Sequence, residues 1–252
     1  MMNPMKCFAL LSLLALQLTC SSQYSLIWAD EFDSPTLNTS NWAHEVGGWG
    51  WGNNEWQYYT PGDNLTIEDG ILIIEARQEQ QGGNDYTSGK ISSKDLVEVQ
   101  YGKIEARIKY PTGQGIWPAF WMLGANFGDV SWPQCGEIDI LEHVNNEWTI
   151  HGTAHWNDNG HVYYGNSKNT SPLEFHVYAI EWDASGIRWF LDGQQYHIMD
   201  TTNGINSTEE FHEPFYMILN LAVGGDWPGY PDCCTNFPAQ LMVDYVRVYQ
   251  ED

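Results

Sequence analysis

Residues 136–143 read GEIDILEH, and three of them, Glu137, Asp139 and Glu142, carry carboxyls. Ile138, Ile140 and Leu141 lie between them, so the stretch looks like a buried strand and not a solvated acidic run. Side chains on a strand alternate faces, which puts Glu137 and Asp139 together. The odd offset from Glu137 to Glu142 would point the last carboxyl the other way. One β-bulge adds a residue and restores the parity. The spacing therefore predicts a bulged strand with three carboxyls on one face. Two close carboxyls suit glycoside hydrolysis with retention. One attacks the anomeric carbon, and the other, kept protonated, donates to the leaving oxygen and later activates water. A third acid between them can share a proton with the nucleophile, and its charge raises the pKa of the acid/base. An acidic strand facing solvent, or a calcium site, could also contain E-x-D. The Gly before the motif and the aromatic segments around it favour the catalytic reading.

The elements that must position these groups read as strands from residue 24 onward. LTIEDGILIIEARQ (65–78), YGKIEARIKYP (101–111), GEIDILEHV (136–144), EWTIHGTAHW (147–156), FHVYAIEWDASGIRWFLDGQQYHIM (175–199), PFYMILNLAV (214–223) and QLMVDYVRVYQ (240–250) are rich in Val, Ile, Tyr and Trp. Several alternate apolar with polar residues. DASG and LDG are hairpin signals between apolar runs. No long stretch has a helical period, and no linker splits the chain. One all-β domain of two packed antiparallel sheets is expected, a sandwich whose concave sheet carries a cleft.

Composition narrows the ligand. Among 252 residues there are 13 Trp and 14 Tyr but only 10 Lys and Arg, and the formal charge is −23. Nucleic acid needs a basic footprint and is excluded as a partner. Many Trp with few cations suit a neutral sugar polymer whose C–H faces stack on indole. The acidic surface itself mainly maintains solubility. The chain is expected to act as a monomer.

Residues 1–22 read as a targeting segment. Lys6 precedes an apolar run, CFALLSLLALQL (7–18), too short to span a bilayer comfortably. Cys20 follows in LTCSS, so the segment is either a lipoprotein signal with Cys20 as lipid anchor or a simple cleaved signal. Both readings make the protein exported, with 23–252 as one catalytic domain. Cys135, Cys233 and Cys234 then remain, an odd set that allows one bridge. Adjacent cysteines make a strained bond, so Cys135 with Cys233 or Cys234 is the expected pair, and a fully reduced set is the alternative.

GEIDILE resembles the bulged E-x-D-x-x-E signature of glycoside hydrolase family 16, in particular its laminarinase-like endo-β-1,3-glucanases. The resemblance runs in order through WADEFD (28–33), NNEWQYYT (53–60), SGKISSK (88–94), YGKIEARIKYPTGQGIWPAFWMLG (101–124), HGTAHW (151–156), IRWFLDG (187–193), NLAVGGDWPGYPD (220–232) and VDYVRVYQ (243–250). It implies a β-jelly-roll sandwich with an open cleft. It also implies retaining hydrolysis of internal β-1,3 bonds in laminarin-like glucans by double displacement. Glu137 would be the nucleophile, Asp139 the assisting acid and Glu142 the acid/base, with no cofactor in the chemistry. Mixed-linkage β-1,3-1,4-glucan or a galactan such as agar remain alternative substrates. Transglycosylation, or glucan binding without catalysis, are alternative functions.

Sugar contacts follow from the residues and from the resemblance. Trp227 sits in the Gly- and Pro-rich loop GGDWPG, where no core needs filling, and reads as a stacking platform. Trp182 and Trp189 read as core. By resemblance Trp117, Trp121, Asn54 and Glu55 face the sugar, and His155 lies near the acids. Lys90 stands where many relatives carry Arg, and it offers a point charge in place of a two-pronged donor. The resemblance further implies a structural calcium on the convex face, held by Glu31, the Gly70 carbonyl and Asp244.

Overall fold

The computed structural model describes residues 24–252. The targeting segment, with Cys7 and Cys20, lies outside the described residues. The strands run β1 Tyr24–Asp30, β2 Ala43–His44, β3 Gln57–Tyr59, β4 Leu65–Glu68, β5 Ile71–Ala76 and β6 Tyr86–Ser88. Next come β7 Lys90–Ser92, β8 Glu98–Val99, β9 Gly102–Lys109, β10 Ile116–Gly124, β11 Glu137–Glu142 and β12 Thr149–Asn157. The chain ends with β13 His161–Asn169, β14 His176–Asp183, β15 Gly186–Leu191, β16 Gln194–Asp200, β17 Phe215–Val223 and β18 Ala239–Glu251.

Two eight-stranded sheets form. One has the order β16-β15-β14-β9-β18-β5-β4, with β1 also on β18; the other has the order β13-β12-β11-β10-β17-β7-β2, with β8 on β17. The expected sandwich of antiparallel sheets is present. The C-terminal strand β18 lies in the middle of the first sheet, between β9 on one side and β5 and β1 on the other.

The period-two pattern of β12 shows how sequence sets the faces. Ile150, Gly152, Ala154 and Trp156 point inward, while His151, Thr153 and His155 line the other face. The core between the sheets holds Trp42, Trp182, Trp189, Tyr178 and Phe120, all essentially inaccessible. Each buried Ile, Leu or Phe contributes about 1.5–3 kcal/mol, so the two inner faces dominate stability. Strand β17 is buried along its whole length, because its inner face meets the core and its outer face carries the floor of the cleft.

Eight strands lie outside the segments read as strands from sequence, β1–β3, β6–β8, β10 and β13, and three of them show why. Strand β10 contains Pro118, which lacks the N–H that a central strand uses. Strand β13, HVYYGNSKN, is a polar edge strand with most side chains exposed, so it offers little hydrophobic alternation. Strand β1, YSLIWAD, is also mostly exposed or half-buried and does not alternate.

Two expectations need correction. Cys135 is buried against Leu123, Tyr216 and Ile218, whereas Cys233 and Cys234 are exposed with their sulfurs 3.8 Å apart. No bridge joins Cys135 to either, and all three thiols are free. The residues expected to hold calcium have partners within the chain. Both carboxylate oxygens of Glu31 take the fork of Arg247, at 2.7 and 2.9 Å. Asp244, the extra residue of a bulge in β18, accepts from Arg107. Arginines thus already compensate both carboxylates, and Gly70 supplies only the left-handed turn between β4 and β5.

The bulge in β11 is supported from the opposite sheet. The indole N–H of Trp189 donates to the Asp139 carbonyl at 2.8 Å, where the ladder is interrupted. Gly152 makes room for it: a Cβ there would lie 2.5 Å from Cδ1 of Trp189. Trp189→Phe removes that donor and leaves the buried carbonyl unpaired. It should destabilise the fold by about 1–3 kcal/mol, read as a shift in the urea unfolding midpoint at unchanged slope.

Candidate active site

Register locates the bulge. Asp139 pairs with Thr153 and Glu142 with His151, so three steps on β11 match two on β12. Against β10, Trp121 faces Asp139 and Phe120 faces Leu141, which leaves Ile140 as the extra residue. Ile138, Ile140 and Leu141 enter the core, and Glu137, Asp139 and Glu142 all line one cleft of about 860 Å³. The parity argument from the sequence is therefore realised in the strand.

Each carboxyl has a distinct setting. Glu137 accepts from the indole N–H of Trp132 at 3.1 Å, and Glu142 accepts from that of Trp117 at 3.0 Å. His155 Nε2 lies 3.2 Å from Asp139 Oδ2 and 3.8 Å from Glu137 Oε1. The closer approach is not aligned as a hydrogen bond, so Asp139 Oδ2 is buried without a donor. Burial pushes all three carboxyls up. Asp139 adds to the effect on Glu137 and Glu142, while His155 and the indole donors oppose it. Glu137 and Asp139 behave as a pair that shares one proton. The Trp132 donor favours the anion on Glu137 and so biases the charge of the pair towards it. Burial and the Asp139 charge make Glu142 hold its proton more tightly than an exposed carboxyl would. Ligand atoms of Glu137, Asp139 and His155 lie within 4.8 Å of one another and could hold a cation, but these are the same atoms that would react.

The cleft walls contain most, but not all, of the expected contacts. Trp117, Trp121, Glu55 and Lys90 line the cleft. Glu55 is 8% exposed and takes hydrogen bonds from Asn53, Gln57 and Tyr59. Tyr59 also accepts from Asn220, which accepts from Trp121 at 2.7 Å, so one buried network ties this wall together. Lys90 sits over the rings of Trp51 and Trp121 and pairs with Glu45 at 3.3 Å. Trp227 stands at the rim, edge-on to Trp117 and to His151. Asn54 is a correction. Its positive-φ backbone turns the amide onto both oxygens of Asp226 at 3.0 Å, and Asn53 takes its place in the cleft lining. Asn54 clasps two rim loops and is not part of the cleft lining.

Sequence reasoning missed Trp49 and Trp51, whose rings pack 4.2 Å apart, tilted by 32°, in the cleft. They occupy the Gly-rich stretch GWGWG, and the argument that singled out Trp227 applies equally to them. Asn220 and His161 carry no sequence signal of this kind.

Comparison with known proteins decides the family. Residues 51–247 match the model of glycosyl hydrolases family 16. The chain belongs to that family. The family 16 chain is 42% identical over 245 residues to a β-glucanase from Rhodothermus marinus, with 90% of this chain and 85% of that protein covered. It is 39% identical over 252 residues to the clotting factor G alpha subunit of Tachypleus tridentatus, covering 97% of this chain but only 37% of that subunit. The catalytic domain of an endo-1,3-β-glucanase (laminarinase) from Thermotoga petrophila superposes with a TM-score of 0.86 at 40% identity. That match covers 92% of this chain and all of the other. The protein is a glycoside hydrolase, and family 16 glucanases need no cofactor for catalysis.

The raised carboxyls have a measurable cost. Each binds its proton more tightly in the folded chain than in the unfolded one. Their contribution therefore favours folding at low pH and is lost as pH rises from about 4 towards about 8, the value to which burial lifts Glu137 and Asp139. Asp139→Asn removes one member of the pair. Its melting temperature should match or exceed wild type at pH 5, and the gap should widen in its favour by pH 9. Parallel curves would refute the shared-proton account.

Proposed function

We propose that the protein hydrolyses internal β-1,3-glucosidic bonds of laminarin-like glucans, with retention of anomeric configuration. The observation that carries this reading is the bulged β11, which sets Glu137, Asp139 and Glu142 on the floor of an open cleft walled by indoles. Glu137, ionised beside the Trp132 N–H, attacks the anomeric carbon, and Glu142 gives its proton to the departing glycosidic oxygen. The product leaves a glycosyl ester on Glu137. Glu142, now a carboxylate, takes a proton from water as the water attacks that ester, which returns both groups to their starting states. Asp139 holds the shared proton against Glu137 and releases it to neither substrate nor water.

The substrate class rests on two supports. An open cleft lined by Trp49, Trp51, Trp117 and Trp121 suits a neutral polymer that enters mid-chain. The similar enzymes described above carry the names β-glucanase and endo-1,3-β-glucanase. A polymer of this kind lies outside the cell, which accords with an exported chain.

The test is product analysis on laminarin, mixed-linkage glucan and agarose. Laminarin should give a ladder of oligosaccharides whose new reducing ends are initially β by proton NMR. Glu137→Gln should lower kcat by more than about 10³-fold. Release of α product, or turnover of agarose alone, would overturn the proposal. The basic limb of the kcat/KM profile belongs to loss of the Glu142 proton, because burial and Asp139 raise that group. In Glu142→Gln, assayed with an aryl glucoside whose leaving group needs no acid, that limb should disappear while the acid limb stays.

A further inference from the structure

His161 opens the edge strand β13 and points to the same side as the catalytic carboxyls, opposite Asn157 of β12. It makes two contacts that converge on the nucleophile and its helper. Its Nε2 lies 2.9 Å from His155 Nδ1, with the two rings stacked at 5.1 Å. Its ring also packs 4.5 Å from that of Trp132, the residue that donates to Glu137. The hairpin that presents it is fixed by Asp158 N–H donating to the Gly160 carbonyl, and Ser207 holds the Asp158 side chain.

Hydrogen-bond chemistry gives this contact a direction. His155 Nε2 faces a gap between Asp139 Oδ2 and Glu137 Oε1. A neutral imidazole has one N–H and one bare nitrogen, and the partner of one nitrogen decides the state of the other. If His161 donates its Nε2–H to Nδ1 of His155, the His155 proton must sit on Nε2, between the two carboxyls. Without that donor, Nδ1–H is free to face solvent. The bare Nε2 would then compete with Glu137 for the proton on Asp139.

We propose that His161 is a positioning residue that fixes the His155 tautomer, and so keeps the shared proton within the Glu137–Asp139 pair. This rests on the catalytic assignment made above. The element that performs it is the first residue of an edge strand, not a member of the acidic motif. Burial holds His161 below the usual histidine range, which is consistent with a neutral donor. The groups that face the pair are Glu137 and Asp139 from β11, Trp132 from the preceding loop and Tyr163 from β13.

The test compares His161→Gln, His161→Phe and Glu137→Gln on laminarin across pH. Glutamine keeps an N–H donor that does not titrate, and phenylalanine keeps the ring packing against Trp132 without a donor. His161→Phe should lower kcat on the order of tenfold with KM changed less than twofold, and should move the acid limb of the pH profile. His161→Gln should recover most of kcat and the wild-type limb. Nitrogen-15 NMR of the His155 ring should report Nε2–H in wild type and in His161→Gln, and Nδ1–H in His161→Phe. Equal activity and an unchanged His155 tautomer in His161→Phe would overturn the proposal. So would equal losses in both His161 variants, which would mark a packing role only. Failure of the catalytic assignment itself would appear separately, as retained activity in Glu137→Gln.

Discussion

Everything at the site follows from placing three carboxyls side by side on the floor of one cleft, the middle one buried. Two unit charges 4 Å apart repel by about 4 kcal/mol at an effective dielectric of 20. The cluster therefore cannot carry three charges at neutral pH, and it must distribute protons. Local donors decide where they go. Trp132 stabilises charge on Glu137, whereas Asp139 has a buried oxygen with no donor. A division of labour between nucleophile and acid thus arises from burial and hydrogen bonding, with side chains that are chemically almost alike.

The backbone must then hold those charges on one face without exposing the core. The bulge at Ile140 achieves both, since it returns Glu142 to the cleft and still sends Ile138, Ile140 and Leu141 inward. A bulge weakens its own ladder. The repair comes from the opposite sheet through Trp189, which reaches the Asp139 carbonyl only because position 152 has no side chain. The catalytic strand and the far sheet are in this sense one structural unit.

Much of this was legible in the sequence because it depends on parity and composition. The faces of Glu137, Asp139 and Glu142, the strands of period two, and the buried Trp182 and Trp189 all follow from local pattern. What was not legible depends on contacts between distant segments. Asn54 belongs in appearance to the polar NNEWQYY motif, yet Asp226 claims its amide from 172 positions away. Glu31 and Asp244 have the oxygen chemistry of a calcium site, but Arg247 and Arg107 reach them first. Strand β13 escaped notice because an edge strand with one open side need not alternate.

The position of β18 has a consequence for the order in which the molecule can be built. Its 13 residues join two halves of their sheet that have no direct pairing with each other. Until those residues arrive, β9 on one side and β5 on the other each present a long unpaired edge over an incomplete core. Closure of that sheet thus depends on contacts of high sequence separation, the kind that slow folding. The same arrangement makes β18 the keystone of the sandwich. Loss of an edge strand such as β13 would trim the cleft, whereas loss of β18 would divide the sheet on which the other one rests.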